Sequence, residues 1–249
     1  MNILITNDDG IHADGLLALR AELTRVGSVM AVAPERPRSA TGHSITLHKP
    51  LRINRVRLPD GGMGYSTNGT PSDCVVLGMI ELEPKPDFVV SGINYGPNLG
   101  EDLTYSGTVS AAMEATMFDV PAFAISVASY DVGDYAFAAE FAARMVRAVV
   151  AHGLPPNTFL NVNVPDLPPE QIRGVAITRQ GRRRYEGRLD KRADPRGMPY
   201  YWLSGDLLDE ESAADTDVHA VAEGRISITP VQLDLTNHAF LDDLRGWEF

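Results

Sequence analysis

Two adjacent carboxylates, Asp8 and Asp9, follow a short apolar run (Asn2–Thr6, NILIT) and precede a glycine. One side-chain oxygen is enough to cap a helix N-terminus, so Asn7-Asp8-Asp9-Gly10 carries more negative charge than capping needs. The surplus suits a hard divalent ion such as Mg²⁺ or Mn²⁺, which takes oxygen ligands. Plain capping is the competing reading. Asn94 lies among Gly92, Gly96, Gly100 and Gly107, where a chain able to turn tightly can hold an amide oxygen as a neutral ligand. At the end of that run, Tyr105-Ser106-Gly107-Thr108 opens a helix and offers hydroxyls, free N–H groups and a positive dipole end to a phosphate, with an ordinary cap as the alternative. A third segment, residues 35–44 (ERPRSATGHS), supplies Ser39, a third oxygen ligand or a turn residue, and His43, a candidate general acid. No two of the six histidines stand at H-x-H or H-x-x-x-H spacing, which argues against zinc. There is no G-x-S-x-G and no Walker loop.

These segments need elements to position them. Leu16, Leu17, Leu19 and Leu23 continue the first strand and loop as a helix running to Val26. Near-continuous apolar runs at 29–34, 87–91, 120–126 and 159–164 read as buried strands, with helices predicted at Pro71–Ile80, 108–118 and 134–152. Thr70, Pro71 and Asp73 supply the cap, the first helical proline and the first-turn acid of the Pro71–Ile80 helix. Strands of this kind alternating with amphipathic helices predict an α/β fold, a Rossmann-like and mostly parallel sheet covered on both faces. Ligands of such sheets sit beyond the carboxyl ends of the strands, where all three chemical segments fall. A dinucleotide-binding fold would place glycines in the first loop; here it holds acids.

The α/β body is expected over residues 1–166. Residues 167–249 change character: Arg182, Arg183, Arg184, Arg188, Lys191, Arg192 and Arg196 crowd a stretch with little apolar periodicity. That stretch predicts an extended hairpin or arm, either a solvated loop or a contact for a subunit or substrate. Thr216-Asp217 caps a short helix, and 226–231 (ISITPV) is a late strand whose Pro230 suggests an edge or a bend.

With 249 residues, 44% of them hydrophobic and 22% charged, the chain has the composition of an ordinary globular protein of one or two domains. Its 22 Lys and Arg against 33 Asp and Glu give a net charge of −11, which argues against long nucleic acid as a partner. A single cysteine, Cys74, expected to be buried, cannot form an internal disulfide, and no basic signal or spanning apolar stretch is visible, so a cytoplasmic protein without membrane contact is expected.

Along nearly its whole length the chain resembles the SurE (survival protein E) family of metal-dependent 5′/3′-nucleotidases. The resemblance rests on ILITNDDGIHADGL (3–16), APERPRSATGHSITL (33–47), SGINYGPNLGEDLTYSGTVSAAMEA (91–115) and TDVHAVAEGRISITP (216–230). It implies one divalent cation, Mg²⁺ or Mn²⁺, per subunit on Asp8, Asp9, Ser39 and Asn94, with phosphate against Asn98, Ser106, Gly107 and Thr108. It further implies C-terminal elements exchanged between subunits of a homodimer or homotetramer. The implied activity is phosphate removal from nucleoside 5′- and 3′-monophosphates, with some exopolyphosphatase activity. In such a reaction Asp8 would accept a proton from the attacking water while Asp9 stays on the cation, and His43 would protonate the leaving alkoxide. A phospho-aspartate route stays open. A nonenzymatic, metal-assisted nucleotide-binding protein is the alternative from another class. A receiver-like module would want an acid ending the third strand, and a haloacid-dehalogenase-type phosphatase would want Asp-x-Asp; the chain has neither.

Overall fold

A computed structural model describes residues 1–208 and 213–249. The chain runs through β1 (Asn2–Thr6), α1 (Asp14–Leu23), β2 (Ser28–Pro34), β3 (Ile53–Arg57), β4 (Met63–Thr67), α2 (Pro71–Ile80), β5 (Phe88–Tyr95), α3 (Gly107–Met117), β6 (Ala122–Val127), α4 (Ala136–His152) and β7 (Thr158–Val164). It continues through β8 (Val175–Ile177), β9 (Arg188–Ala193), β10 (Pro199–Ser204), α5 (Asp217–Ala222), β11 (Ile226–Gln232) and α6 (Leu241–Arg245). Nine strands form one sheet in the order β3-β4-β2-β1-β5-β6-β7-β11-β8. From β4 to β7 all neighbours are parallel, β3 and β11 pair antiparallel with β4 and β7, and β8 is parallel to β11. The expected mostly parallel α/β sheet is the one observed.

The unbroken apolar strands have a direct cause: both faces of the sheet are covered. Ile3, Ile5, Phe88, Val90, Phe123 and Ile125 pack with α1 and α4 on one side. Leu4, Val89, Ala122 and Ala124 alternate to the other side, against Val75 of α2 and Val109, Ala111 and Ala112 of α3. Helix α2 has the bounds its capping residues specify. Thr70 Oγ1 accepts the Asp73 N–H at 3.1 Å, and Asp73 Oδ2 accepts the Thr70 N–H at 2.8 Å.

Three expectations change. The hairpin β3–β4 inserts between β2 and α2, and β4 pairs with β2; it escapes a search for apolar runs because β3 (INRVR) has no residue classed as fully buried. Strand β5 extends to Tyr95 rather than ending near Ser91, so Asn94 belongs to a strand and not to a loop. Pro230 lies in an internal strand, but the β8 pairing covers only Ile226 to Ile228, so its missing N–H faces no neighbour strand on that side.

The hairpin expected around the arginine run is the two-stranded ribbon β9–β10, separate from the main sheet. Leu189, Trp202 and Leu203 are exposed on it. Among the described residues no helix is long and apolar enough to cross a membrane.

Candidate metal and phosphate site

Strand β1 is the point from which the chain steps one way to β2 and the other way to β5, and an α/β sheet opens its ligand crevice beyond such a switch. Asp8 and Asp9 follow β1 directly, Asn94 stands near the end of β5, and α3 begins across from them. A cleft of about 430 Å³ there is lined by Asp8, Asp9, Ser39, Asn94, Asn98 and Ser106, together with four tyrosines. Segments far apart in sequence thus meet in one cavity.

Asp8 and Asn94 are nearly buried and Thr108 fully so. Thr108 Oγ1 donates its single proton to Asp8 Oδ1 at 2.6 Å and stands 3.4 Å from Asn94 Oδ1. The Asn94 amide nitrogen donates to the carbonyls of Tyr95 (3.2 Å) and Gly96 (2.8 Å), which turns its oxygen toward the Thr108 hydroxyl. Asp9 Oδ2 accepts the Tyr95 N–H at 3.3 Å. Ser39 is exposed at the mouth of the cleft, and its loop is tied to β1 by the Arg38 N–H on the Asp8 carbonyl at 2.7 Å.

The α3 N-terminus, read from the sequence as a phosphate cradle, faces Asp8. Ser106 Oγ caps the helix by accepting the Val109 N–H at 3.1 Å. A Cβ on Gly107 would lie 2.9 Å from Asp8 Cβ, so only glycine permits this approach. Asn98 is pinned from below: its N–H donates to Asn163 Oδ1 at 2.8 Å, its carbonyl accepts from Asn161 (2.8 Å) and Asn163 (3.0 Å), and its amide donates to Ser126 Oγ at 2.8 Å. Asn161, Asn163 and Ser126 are fully buried on β7 and β6. The run FLNVNV, with two amides two residues apart on one face of an apolar strand, was the signal that could have revealed these supports.

His43 sits elsewhere. Its Nε2 is 2.7 Å from Glu114 Oε2 on α3, and it is not among the residues lining the cleft. Asp102, absent from the sequence-based set, does line it; Tyr185 Oη donates to Asp102 Oδ2 at 2.8 Å, and Arg183 lies 3.3 Å from the same atom.

Burial raises the pKa of Asp8 against the opposing pull of the Thr108 hydroxyl and of the Gly107 and Thr108 N–H groups. Burial first, and then the charge of Asp8, push Asp9 up to about 6. Two desolvated carboxylates beside a neutral amide oxygen and a hydroxyl form a donor set suited to a hard divalent cation, which would offset their charge. Among the described residues no cluster of three or more His, Cys, Asp or Glu side chains is placed to hold a metal, so a cation here would need the neutral oxygens as well.

The raised pKa sets a stability expectation. Between about pH 4 and 6 the folded chain keeps a proton on Asp9 that the unfolded chain has released, so its contribution falls as pH rises through that window. Metal-free Asp9→Asn should therefore gain stability over the parent with rising pH, by roughly 1 kcal/mol at pH 7 after allowing for partial exposure. Thermal melts of both proteins in chelator at pH 4, 5 and 7 measure the difference; a constant or shrinking gap contradicts it.

The sequence profile of the survival protein SurE family matches residues 3–187. The 5′-nucleotidase SurE of Geobacter metallireducens is 52% identical over 251 residues, covering 100% of this chain and 98% of that protein. The 5′-nucleotidase SurE of Geobacter sulfurreducens is 53% identical over 250 residues, with 100% and 94% covered. The crystal structure of the SurE protein from Aquifex aeolicus superposes with a TM-score of 0.86 at 41% identity, covering 98% of each chain. By profile, sequence and fold together, the chain belongs to the SurE family.

Proposed function

We propose that the chain is a divalent-metal-dependent phosphomonoesterase that releases phosphate from nucleoside 5′- and 3′-monophosphates, with short polyphosphate as a further substrate. The observation that carries this reading is the Asp8–Asp9 pair, with Asp8 buried against the N-terminus of α3 and the Asn94 amide oxygen turned toward the same Thr108 hydroxyl that binds Asp8. The names of the relatives support the same activity.

Asp8, Asp9, Ser39 and Asn94 would hold one Mg²⁺ or Mn²⁺ ion. When bound, the ion supplies Lewis acidity toward a phosphoryl oxygen and lowers the pKa of a bound water. Asn98 and Ser106 line the same cleft and orient the phosphate, and the positive end of α3 at Gly107 and Thr108 favours its charge. Asp8, held in place by the Thr108 hydroxyl, accepts the proton of the attacking water. Of the assigned residues, His43 has the least geometric support as acid to the leaving group, because its ring is held on Glu114.

The body formed by residues 1–166 carries this site. In residues 167–249, β11 and β8 extend the sheet and α5 packs on β11, while β9–β10 stands apart with exposed apolar side chains, which supports a homodimer or homotetramer built through that ribbon. A lone, buried thiol at Cys74 suits a reducing cytosol.

The test is phosphate release from 5′- and 3′-nucleoside monophosphates with Mg²⁺ or Mn²⁺, with and without EDTA. Release that requires the ion is expected. No release from folded, metal-loaded protein that still binds nucleotide would leave the nonenzymatic binding protein as the reading.

A further inference from the structure

Four of the chain's eight tyrosines, Tyr95, Tyr105, Tyr130 and Tyr185, line the cleft that holds Asp8 and Asp9. They come from four separate segments: the end of β5, the turn before α3, the loop after β6 and the root of the β9–β10 ribbon. Each keeps much of its surface open, from 45% for Tyr185 to 66% for Tyr105. Apolar rings gathered around a polar, acidic cavity bury little of their own area, which is unfavourable unless something flat covers them.

Three of the rings, those of Tyr95, Tyr130 and Tyr185, are also held in place. Gly96, at φ +98°, lies so close under Tyr130 that a Cβ would come within 2.5 Å of the ring, and Tyr95 meets Tyr130 edge to face with centroids 6.1 Å apart. Tyr95 Oη donates to the Tyr130 carbonyl. Tyr185 is fixed through its hydroxyl on Asp102, by the Arg183 guanidinium 5.9 Å over its ring, and by a backbone bridge to Leu207. Arg183 donates its N–H to Glu101, and Asp217 accepts from both Gly100 (3.0 Å) and Gly181 (2.7 Å), so the ribbon's root is fastened to the loop after β5. The cavity volume falls in the roughly 300–1,000 Å³ range of small-molecule sites.

The geometry points to a substrate-binding rim in which Tyr105, Tyr130 and Tyr185 receive the base of a nucleotide whose phosphate lies at Asp8 and Asp9, with Tyr185 as a specificity-determining residue. This rests on the nucleotidase reading and adds where the nucleoside lies. Ring faces recognise the face of a base and not its edge, so the rim favours nucleotides over esters without a ring while discriminating little among bases.

The test compares kcat/KM for a nucleoside 5′-monophosphate with that for glycerol phosphate, in metal-loaded protein, for Tyr105→Ala, Tyr130→Ala, Tyr185→Ala and Tyr185→Phe. Calorimetry with the unphosphorylated nucleoside runs beside it. Tyr185→Ala should lower the nucleotide-to-glycerol-phosphate ratio about 10-fold, mainly through KM, and weaken nucleoside binding by a similar factor. Tyr185→Phe, which loses the bond to Asp102 but keeps the ring, should retain the ratio. If the phenylalanine variant loses as much as the alanine variant, or if none of the alanine variants shifts the ratio, the rim is overturned. The same holds if the variants change only the oligomeric state, since the rings are then covered by a second copy. Nucleoside binding that depends on the rings, without phosphate release from any ester, would uphold the rim and sink the hydrolytic reading. Release that does not depend on the rings would do the reverse.

Discussion

Asp9→Asn should lower metal-dependent kcat/KM for a nucleoside monophosphate roughly a thousandfold, the scale on which losing one preorganised charged group disables a reaction centre. The substitution keeps the size of the side chain and an oxygen able to accept the Tyr95 N–H, but it removes one of the two negative charges offered to the cation. In the metal-free chain the same change relieves a desolvated carboxylate that also faces the charge of Asp8. Activity and stability should therefore move in opposite directions: nearly inactive in the presence of Mn²⁺, and higher-melting in chelator. A residue present only to cap a helix would change neither quantity much, because Asn caps about as well as Asp. Phosphate release at saturating Mn²⁺, paired with melts in EDTA, separates the two. Activity within tenfold of the parent, or a lower melting temperature, would count against a ligand role for Asp9.

Gly107→Ala tests the other half of the site. Its Cβ would stand 2.9 Å from Asp8 Cβ, 3.0 Å from Pro71 Cγ and 3.1 Å from Asp8 Oδ2, so Asp8 or the start of α3 must shift by a few tenths of an ångström. Alanine is the better helix former by up to about 1 kcal/mol, which offsets part of the strain and leaves global stability close to that of the parent. Positioning is less forgiving: displacing a reacting group by about 1 Å can cost about a hundredfold. The expected result is a drop in kcat of about that size together with weaker Mn²⁺ binding. Gly133→Ala, where a Cβ would meet nothing within 4 Å, serves as the comparison and should leave both quantities unchanged. Undiminished kcat in Gly107→Ala would make the close approach incidental.

Much of this molecule is written in short stretches of sequence. The bounds of α2 follow from Thr70, Pro71 and Asp73 because capping is local chemistry among neighbours. The buried strands follow from their unbroken apolar composition, and Asp8 and Asp9 stand out because two acids exceed what one helix start needs. The edge hairpin β3–β4 lacks such a mark, since β3 (INRVR) has neither an apolar run nor the strict alternation of a half-buried strand, and the pairing of β4 with β2 is a long-range choice. The apolar run of β5 stops at Ser91, because Gly92 reads locally as a break. In the folded chain that residue, at φ +143°, lies inside the strand, its Cβ position only 2.3 Å from the Ile125 carbonyl oxygen, and the pairing with β6 shifts register between Ser91 and Asn94. The same limit applies to the supports of the site. Residue types and capping are fixed by near neighbours, so the sequence alone determined the fold class and the acids at the end of β1. That Asn161 and Asn163 hold Asn98, that His43 pairs with Glu114, and that four distant tyrosines ring one cleft are contacts through space. Only the order in which the strands cross over brings those segments together, and no local pattern of residues encodes it.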